Sequence, residues 1–407
     1  MSKNIWIINE YAGTPYHGME FRHYYLGKEL VKLGNKVTVV SSSYSHLFKN
    51  LPTNRKENID TVDYLWLKTF DYGNSHNKKR VIKWFLFMFK VFFLPFALKK
   101  PDVIIVSPMA PFPIFPAWVL AKIYKAKLIY EVKDIWPLSL IELGGFKSSH
   151  PFIKLMSWFE KFAINKADIV VSNLQNYGEH IKKDLNIDKN FTWISNGVDL
   201  DELSKIEPLS DDIKNMLPKD KFIVGYAGTI GVANAMDSLC QSAKELKDNK
   251  NILFVIVGDG QEKDNLIKQY GKLDNILFIN AIKKQQVQSM LSLFDVCYIG
   301  LQKENLFKYG VSPNKLYDYM YSSKPILYAI DSGINNIVKI AKCGISVEAQ
   351  NIDSISLGIL ELYNMSKTKR DIIGQNGYNY VLEHFTYDKL AKKYIEIIED
   401  KYANTIS

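Results

Sequence analysis

Tyr309-Gly-Val-Ser-Pro-Asn-Lys-Leu-Tyr-Asp-Tyr-Met-Tyr-Ser-Ser-Lys-Pro325 has a local grammar that resolves almost residue by residue. Ser312 suits an N-cap, and Pro313 suits the first helical position, where a missing N–H costs nothing. A helix beginning there turns its unpaired N–H groups and positive dipole end toward whatever lies beyond Gly310. Such a terminus favours phosphate or carboxylate. Lys315 adds a full charge in the first turn, and Asp318 follows three residues later on the same face. A cation with an acceptor one turn deeper suits a nucleotide diphosphate whose ribose lies beyond its phosphates. An ordinary capped helix with a solvated Lys and Asp has the same letters, so the surrounding chain has to decide.

Around this stretch the second half alternates strand-length apolar runs with helical patterns. The runs are Phe222 to Ala227, Ile252 to Val257, Ile276 to Ile279, Val296 to Ile299 and Ile326 to Tyr328. Loops follow at Gly228-Thr-Ile-Gly231, Gly258-Asp-Gly260, Asn280-Ala-Ile-Lys283 and Gly310 to Asn314. Gly-rich turns at the ends of parallel strands let backbone N–H groups approach a ligand closely. Glu202 to Lys221 is charged and irregular and reads as a linker.

The first half opens the same way. Ile5 to Ile8, a polar loop, a helical pattern from Met19 to Leu33 and the run Val37 to Val40 make a βαβ unit. Val103 to Val106, Leu128 to Tyr130, Ile169 to Val171 and Thr192 to Ile194 continue the strands. Gly13 and Gly18 lack the dinucleotide-fingerprint spacing, which argues against a nicotinamide cofactor. His17, Glu20, Arg22 and His23 fall where open parallel sheets bind ligands, as does Glu131-Val-Lys-Asp-Ile-Trp-Pro-Leu138. Lys133 and Asp134 face a ligand there or pair with each other. Asp199-Leu-Asp201 matches a metal signature in letters, but it lies at a turn and reads as a cap.

With 407 residues, 47% hydrophobic and 23% charged, the chain has enough material for two domains with substantial cores. The formal charge of +9 is compatible with acidic partners. Three isolated cysteines, Cys240, Cys297 and Cys343, have no metal or redox spacing and suit a reducing compartment. The N-terminal apolar run is too short for a signal peptide, so a cytoplasmic protein is expected. From Lys78 to Lys100 the composition turns basic and aromatic. A membrane-associating helix is expected near 79–98; its apolar run, Val81 to Leu98, measures roughly 27 Å, marginal for a bilayer core of about 30 Å, and Lys90 falls near its middle. Lys79, Lys83 and Lys90 gather on one side, as in a helix lying in the membrane interface with its lysines toward lipid phosphates. A core helix with snorkelling lysines is the alternative.

Tyr226-Ala-Gly-Thr-Ile-Gly231, Ile256-Val-Gly-Asp-Gly260, Phe278-Ile-Asn-Ala-Ile282 and the opening stretch with Ser323-Lys-Pro-Ile326 resemble the donor domain of a family 4 glycosyltransferase with the GT-B fold. Asn9-Glu-Tyr-Ala, His17-Gly18, Arg22, Ser45-His46, Lys133-Asp-Ile-Trp-Pro137 and Leu143-Gly144 extend the likeness to the L-fucosamine transferases and related enzymes of bacterial O-antigen and capsule assembly. The resemblance implies an α/β protein of two Rossmann-like domains facing a cleft: residues 1–200 for the acceptor, 201–385 for the donor, and a C-terminal helix over 386–407 returning to the first. It implies an enzyme of hexosyltransferase type. The sugar, N-acetylated amino or deoxy, moves with retention from a UDP-sugar to a polyprenyl-diphosphate-linked saccharide on the inner face of the plasma membrane. No cofactor, metal or nucleic-acid partner is expected.

Without a metal, the departing diphosphate must be held by Lys, backbone N–H groups and a helix dipole. The resemblance assigns Lys315 and the Gly228-Thr229 backbone to the diphosphate, Asp318 to the ribose, and Gly258 and Ile282 to the base. It assigns Gly310, Val311, Ser312, Pro313 and Asn314 to the donor sugar. Lys315, Lys133, Asp134 and His17 are the catalytic candidates, Gly18 joins the donor set, and Glu20 and Arg22 are acceptor-side candidates. Two positions depart from the family pattern. Gly310 stands where the first acid of a Glu-x7-Glu pair is usual, and Lys133-Asp134 replaces His-Asp. A UDP-sugar epimerase and a non-catalytic nucleotide-sugar binder are the competing readings.

Overall fold

Ile- and Val-rich runs become strands here because β-branched side chains pack well on a pleated surface covered on both faces. In the computed structural model, which describes residues 2–18, 20–74, 77–333 and 336–400, these strands form two separate sheets in two units. The first unit holds the chain up to Ser195 and takes it up again at Tyr387; the second runs Asn196–Thr386. The division falls at Ser195, ahead of the expected boundary at 200. Short helices at Leu200–Leu203 and Asp211–Asn215 occupy the expected linker, and Asp199 caps the former by accepting from the Glu202 N–H at 2.8 Å.

The first sheet has eight strands: β1 (Asn4–Ile8), β2 (Lys36–Ser42), β3 (Lys56–Ile59), β4 (Val62–Leu67), β5 (Val103–Val106), β6 (Lys127–Val132), β7 (Ile169–Ser172) and β8 (Thr192–Trp193). Their order is β3-β4-β2-β1-β5-β6-β7-β8, parallel throughout except for the β3–β4 hairpin. Sequence periodicity misses that hairpin because β3, Lys-Glu-Asn-Ile, has almost no apolar alternation. Its turn is made by Asp60 and Thr61, both at positive φ, the geometry that matches the twist of a tight hairpin. The second sheet has six parallel strands: β9 (Phe222–Ala227), β10 (Ile252–Val257), β11 (Ile276–Ile279), β12 (Val296–Gly300), β13 (Ile326–Ala329) and β14 (Gly344–Ser346), ordered β11-β10-β9-β12-β13-β14. Both are doubly wound Rossmann-like sheets, with β1 and β9 between neighbours reached by crossovers in opposite directions.

The core of the first unit includes the end of the chain. The helix Tyr387–Ile398 places Tyr387, Leu390, Ala391, Tyr394, Ile397 and Ile398 in one cluster with Ile5, Val37 and Ile105. The expected start of the first helix at Met19, and the part of the expected C-terminal helix beyond residue 400, lie outside the described residues. Beside this helix the Glu131 carboxylate, fully buried, receives Arg22 Nε at 3.0 Å and Nη2 at 2.9 Å. It also meets His23 Nε2 at 2.8 Å and the Tyr394 hydroxyl. Arg22 donates further to the carbonyls of Ile194 and Ser195 at 2.9 and 2.5 Å. Burial alone would raise the Glu131 pKa, but Arg22 and then His23 override it and hold it well below the carboxylate range. Arg22 is therefore a buried strut on α1 (Arg22–Lys32), which corrects its reading as an acceptor-side residue.

The basic aromatic segment also departs from expectation. It forms α2 (Lys79–Val91), only about 20 Å long. The helix stops there because Pro95 has no N–H to donate and its ring would strike the carbonyl four residues back, which is that of Val91. Lys83 does not face lipid: its side chain is buried, with Nζ 4.3 Å from the centre of the Tyr11 ring. Among the described residues no helix is long and apolar enough to cross a membrane.

Replacing Arg22 by Met should leave Glu131 charged, buried and short of its main partner. A loss of roughly 3–5 kcal/mol is expected, read from the urea midpoint of the first unit. Because the folded Glu131 pKa is depressed, the network's contribution is present above the ordinary value of 4.5 and lost as pH falls below it. The variant's stability should therefore depend less on pH below 4.5 than the parent's.

Candidate functional site

In the second unit the opening stretch builds a helix over Asn314–Tyr321, one residue later than expected. Pro313 occupies the cap position in extended conformation and supplies no side-chain bond. Ser312 is not the cap: its Oγ accepts from the Asn196 N–H at 2.9 Å and lies 2.8 Å from the Tyr317 hydroxyl. Its carbonyl also accepts from Asn196 Nδ2 at 2.7 Å, so the residue is engaged by the first residue of its own unit.

Lys315 leaves this helix toward the carboxyl end of β9. Its Nζ donates to the Tyr226 hydroxyl at 2.5 Å and to Asn234 Oδ1 at 2.7 Å, and sits 4.4 Å from the centre of the Tyr226 ring. A Cβ on Gly228 would lie 3.1 and 3.2 Å from Lys315 Cε and Nζ, so the glycine leaves room for the ammonium. Burial pushes the Lys315 pKa down to about 7, and no acidic group is among the causes. The cation is held by neutral partners only, as a site awaiting an anion requires.

The loops beside it are locked to each other. The Gly228 N–H donates to the Val257 carbonyl at 3.0 Å and the Gly258 N–H to the Ile279 carbonyl at 3.0 Å. Neither amide is available to a diphosphate, which corrects that part of the expectation for Gly228. Gly258 has φ +147°, and a Cβ there would fall 1.9 Å from the Gly228 oxygen, so only glycine lets the two loops touch. The Tyr226 hydroxyl donates to the Thr229 carbonyl at 2.5 Å. Ile282, partly exposed, follows β11 in the same series of loops. Gly310 is buried at φ +101°, with Val311 buried beside it, and Asn314 is exposed.

Asp318 has a partner that sequence reading missed. Both of its carboxylate oxygens accept from Lys284 Nζ, at 2.8 and 2.7 Å. Burial works against the Lys284 charge, yet the Asp318 carboxylate raises its pKa above the ordinary value. Lys284 and Asp318 are 34 positions apart in the chain, and no local spacing could have joined them.

At the carboxyl edge of the first sheet, Lys133 pairs with Glu20 and not with its neighbour Asp134. Glu20 sits at φ +72°, an unfavourable backbone for a glutamate, and also accepts from Asn9 Nδ2 at 3.3 Å. Burial would raise its pKa, but Lys133 holds it below the usual carboxylate range, so the side chain is ionised while 32% exposed. Asp134 is exposed on the next turn. His17 does not join this group. Its ring is buried 4.8 Å from that of Trp66, with Nδ1 2.9 Å from Thr14 Oγ1 and Nε2 3.6 Å from Glu57. Gly18, at φ +128°, would put a Cβ 2.4 Å from the Leu47 carbonyl oxygen, so it serves loop packing.

Comparison with known proteins connects both units to one activity. Residues 16–202 match the family model "Glycosyltransferase Family 4", and residues 210–380 match "Glycosyl transferases group 1". An uncharacterized glycosyltransferase of Methanocaldococcus jannaschii is 27% identical over 329 residues, covering 77% of this chain and 79% of that protein. The probable glycosyltransferase WbjE of Pseudomonas aeruginosa is 22% identical over 400 residues, covering 94% and 96%. Among solved structures, HepE of Anabaena in complex with UDP and glucose superimposes with a TM-score of 0.67 at 12% identity, covering 98% of this chain and 100% of that one.

The Lys315 environment predicts a pH dependence of anion binding. Below pH 7 the ammonium is already charged; above it, an arriving anion must draw a proton onto Lys315. Affinity for inorganic diphosphate, measured by calorimetry, should fall roughly tenfold per pH unit from about 7 up to the pKa of the bound state. Lys315→Ala should flatten the profile.

Proposed function

This chain is a glycosyltransferase of the group 1 and family 4 type with the GT-B fold, an enzyme of glycan biosynthesis, and on that premise we propose that it moves a sugar from a UDP-sugar to a polyprenyl-diphosphate-linked saccharide in O-antigen or capsule assembly. The observation that carries this reading is Lys315, a cation held only by Tyr226 and Asn234 beside Gly228 at a strand end. A departing nucleoside diphosphate gains charge as the glycosidic bond breaks. An ammonium already desolvated and positioned stabilises that charge without reorganising. The UDP bound to HepE supports uridine as the base.

Asp318, steadied by Lys284, retains lone pairs on both oxygens for the two ribose hydroxyls. In the first unit Glu20 and Lys133 form the polar face offered to the acceptor, with Asp134 exposed beside them. Transfer with retention, no metal ion, and an N-acetylated amino or deoxy sugar such as N-acetyl-L-fucosamine complete the reading, on the strength of the sequence resemblance. So does a place on the inner face of the plasma membrane. For that last point the first unit supplies an aromatic surface across three helices: α2, α3 (Ile114–Tyr124) and Pro151–Lys166. Ring contacts run from Phe92 to Phe115 at 6.2 Å, on to Phe162 at 5.8 Å and to Trp158 at 5.4 Å. Phe96 and Trp158 are 87% and 53% exposed, among the exposed lysines Lys99, Lys154 and Lys161. Exposed rings with exposed lysines three or four residues away in the chain suit an anionic bilayer surface.

A panel of UDP-sugars, with and without a lipid-linked saccharide, tests the function: acceptor-dependent UDP release is expected. An isomerised donor, or binding without turnover, would replace this reading. With the active pair, Lys315→Ala should lower kcat about 100- to 1,000-fold, while Asp318→Ala should act mainly by raising the KM for donor. In flotation assays the chain should rise with anionic vesicles at low salt and be released at high salt, and Phe96→Asp with Trp158→Asp should abolish flotation.

A further inference from the structure

Behind α2, on the side facing the β3–β4 hairpin, lies an apolar groove of about 810 Å³ that no step of the transfer uses. Its volume is within the range of about 300–1,000 Å³ typical of small-molecule sites. Leu86, Phe89 and Phe93 line one wall, and Arg55, Lys68 and Lys90 stand among the lining residues with no carboxylate side chain between them. None of these three cations makes an ion pair among the described residues. Lys56 Nζ, donating to the Ala97 carbonyl at 2.6 Å, ties the hairpin to the segment after α2. The groove also reaches Ser43, whose N–H donates to the Leu67 carbonyl at 2.9 Å. Ser43 follows β2 directly, at the carboxyl edge of the sheet, the edge that carries Glu20 and Lys133.

We propose that this groove holds the proximal isoprenoid chain of the acceptor, with Arg55, Lys68 and Lys90 taking its phosphates. An apolar trough whose charged lining side chains are all cationic selects an anionic amphiphile. Burying a single chain suits a groove bounded by one helix and one hairpin. Ser43 brings the groove to the carboxyl edge of the sheet, the same edge that carries the residues offered to the acceptor sugar. Identifying the occupant as the acceptor's isoprenoid chain rests on the function proposed above; the groove's preference for a single-chain anionic amphiphile does not.

Calorimetry of the full chain with monomeric farnesyl diphosphate, in the absence of any donor, separates the two. Saturable one-to-one binding is expected, with farnesol and inorganic diphosphate each at least about tenfold weaker. Leu86→Trp, which fills the groove, and Arg55→Glu with Lys68→Glu, which reverses its charge, should each weaken binding by about tenfold. Both should leave UDP affinity unchanged, which shows that the protein is folded. Binding that survives in both variants, full competition by inorganic diphosphate alone, or displacement by phosphatidylglycerol vesicles would overturn the proposal. Should farnesyl diphosphate bind as expected while no lipid-linked saccharide supports UDP release, the groove stands and the acceptor assignment falls.

Discussion

One buried carboxylate organises the first unit. Glu131 lies at the end of β6 and is bonded by Arg22 and His23 from α1 and by Tyr394 from the last helix. Such a charge is tolerable only because every neighbour is a donor. Its partners do further work: Arg22 also ties down the carbonyls of Ile194 and Ser195, where the chain leaves the unit, and His23 Nδ1 meets Asn9 Nδ2 at 3.0 Å. Asn9 in turn bonds Glu20, which pairs with Lys133. A continuous polar chain thus links the stability of the sheet to the residues presented at its ligand edge. The same network fixes where Glu20 points and pins the segment through which the chain departs.

The second unit solves a different problem, placing a cation where no anion of the protein neutralises it. Tyr226 and Asn234 accept from Lys315 without carrying charge, and Gly228 leaves the space the ammonium needs. The nearby carboxylate, Asp318, is occupied by Lys284. Had Asp318 paired with Lys315, the charge available to a leaving group would be cancelled before any ligand arrived. Two lysines with opposite pKa directions, Lys315 down through burial and Lys284 up through Asp318 despite burial, therefore hold different tasks within one loop cluster.

What could be read from the letters follows the range of the forces involved. Alternating apolar runs and Gly-rich turns are local, and they disclosed both sheets, the strand-end loops and the helix that carries Lys315. Contacts between distant positions were not visible. Lys284 beneath Asp318, Tyr226 beneath Lys315, and Glu131 beneath Arg22 each join segments that share no spacing. Composition misled where burial decided: Lys83 reads as one of three lipid-facing lysines, yet it is enclosed beside Tyr11. Ser312 reads as a cap because Ser before Pro is a good one, but a longer-range partner, Asn196, claims its oxygen. The missing first acid has a backbone correlate, since Gly310 at φ +101° occupies a conformation in which a glutamate would be strained.

The return of the chain to its first sheet has a consequence for biogenesis. The second unit is continuous in sequence and can complete its core as soon as its own residues have left the ribosome. The first cannot, because Tyr387, Leu390 and Tyr394 are made after everything else. Until they arrive, apolar residues such as Tyr25 and Leu26 lack part of their cover and Glu131 lacks its Tyr394 donor. The part of the molecule translated first is thereby the part finished last. During synthesis its unfinished face is an exposed sticky surface that a chaperone would recognise.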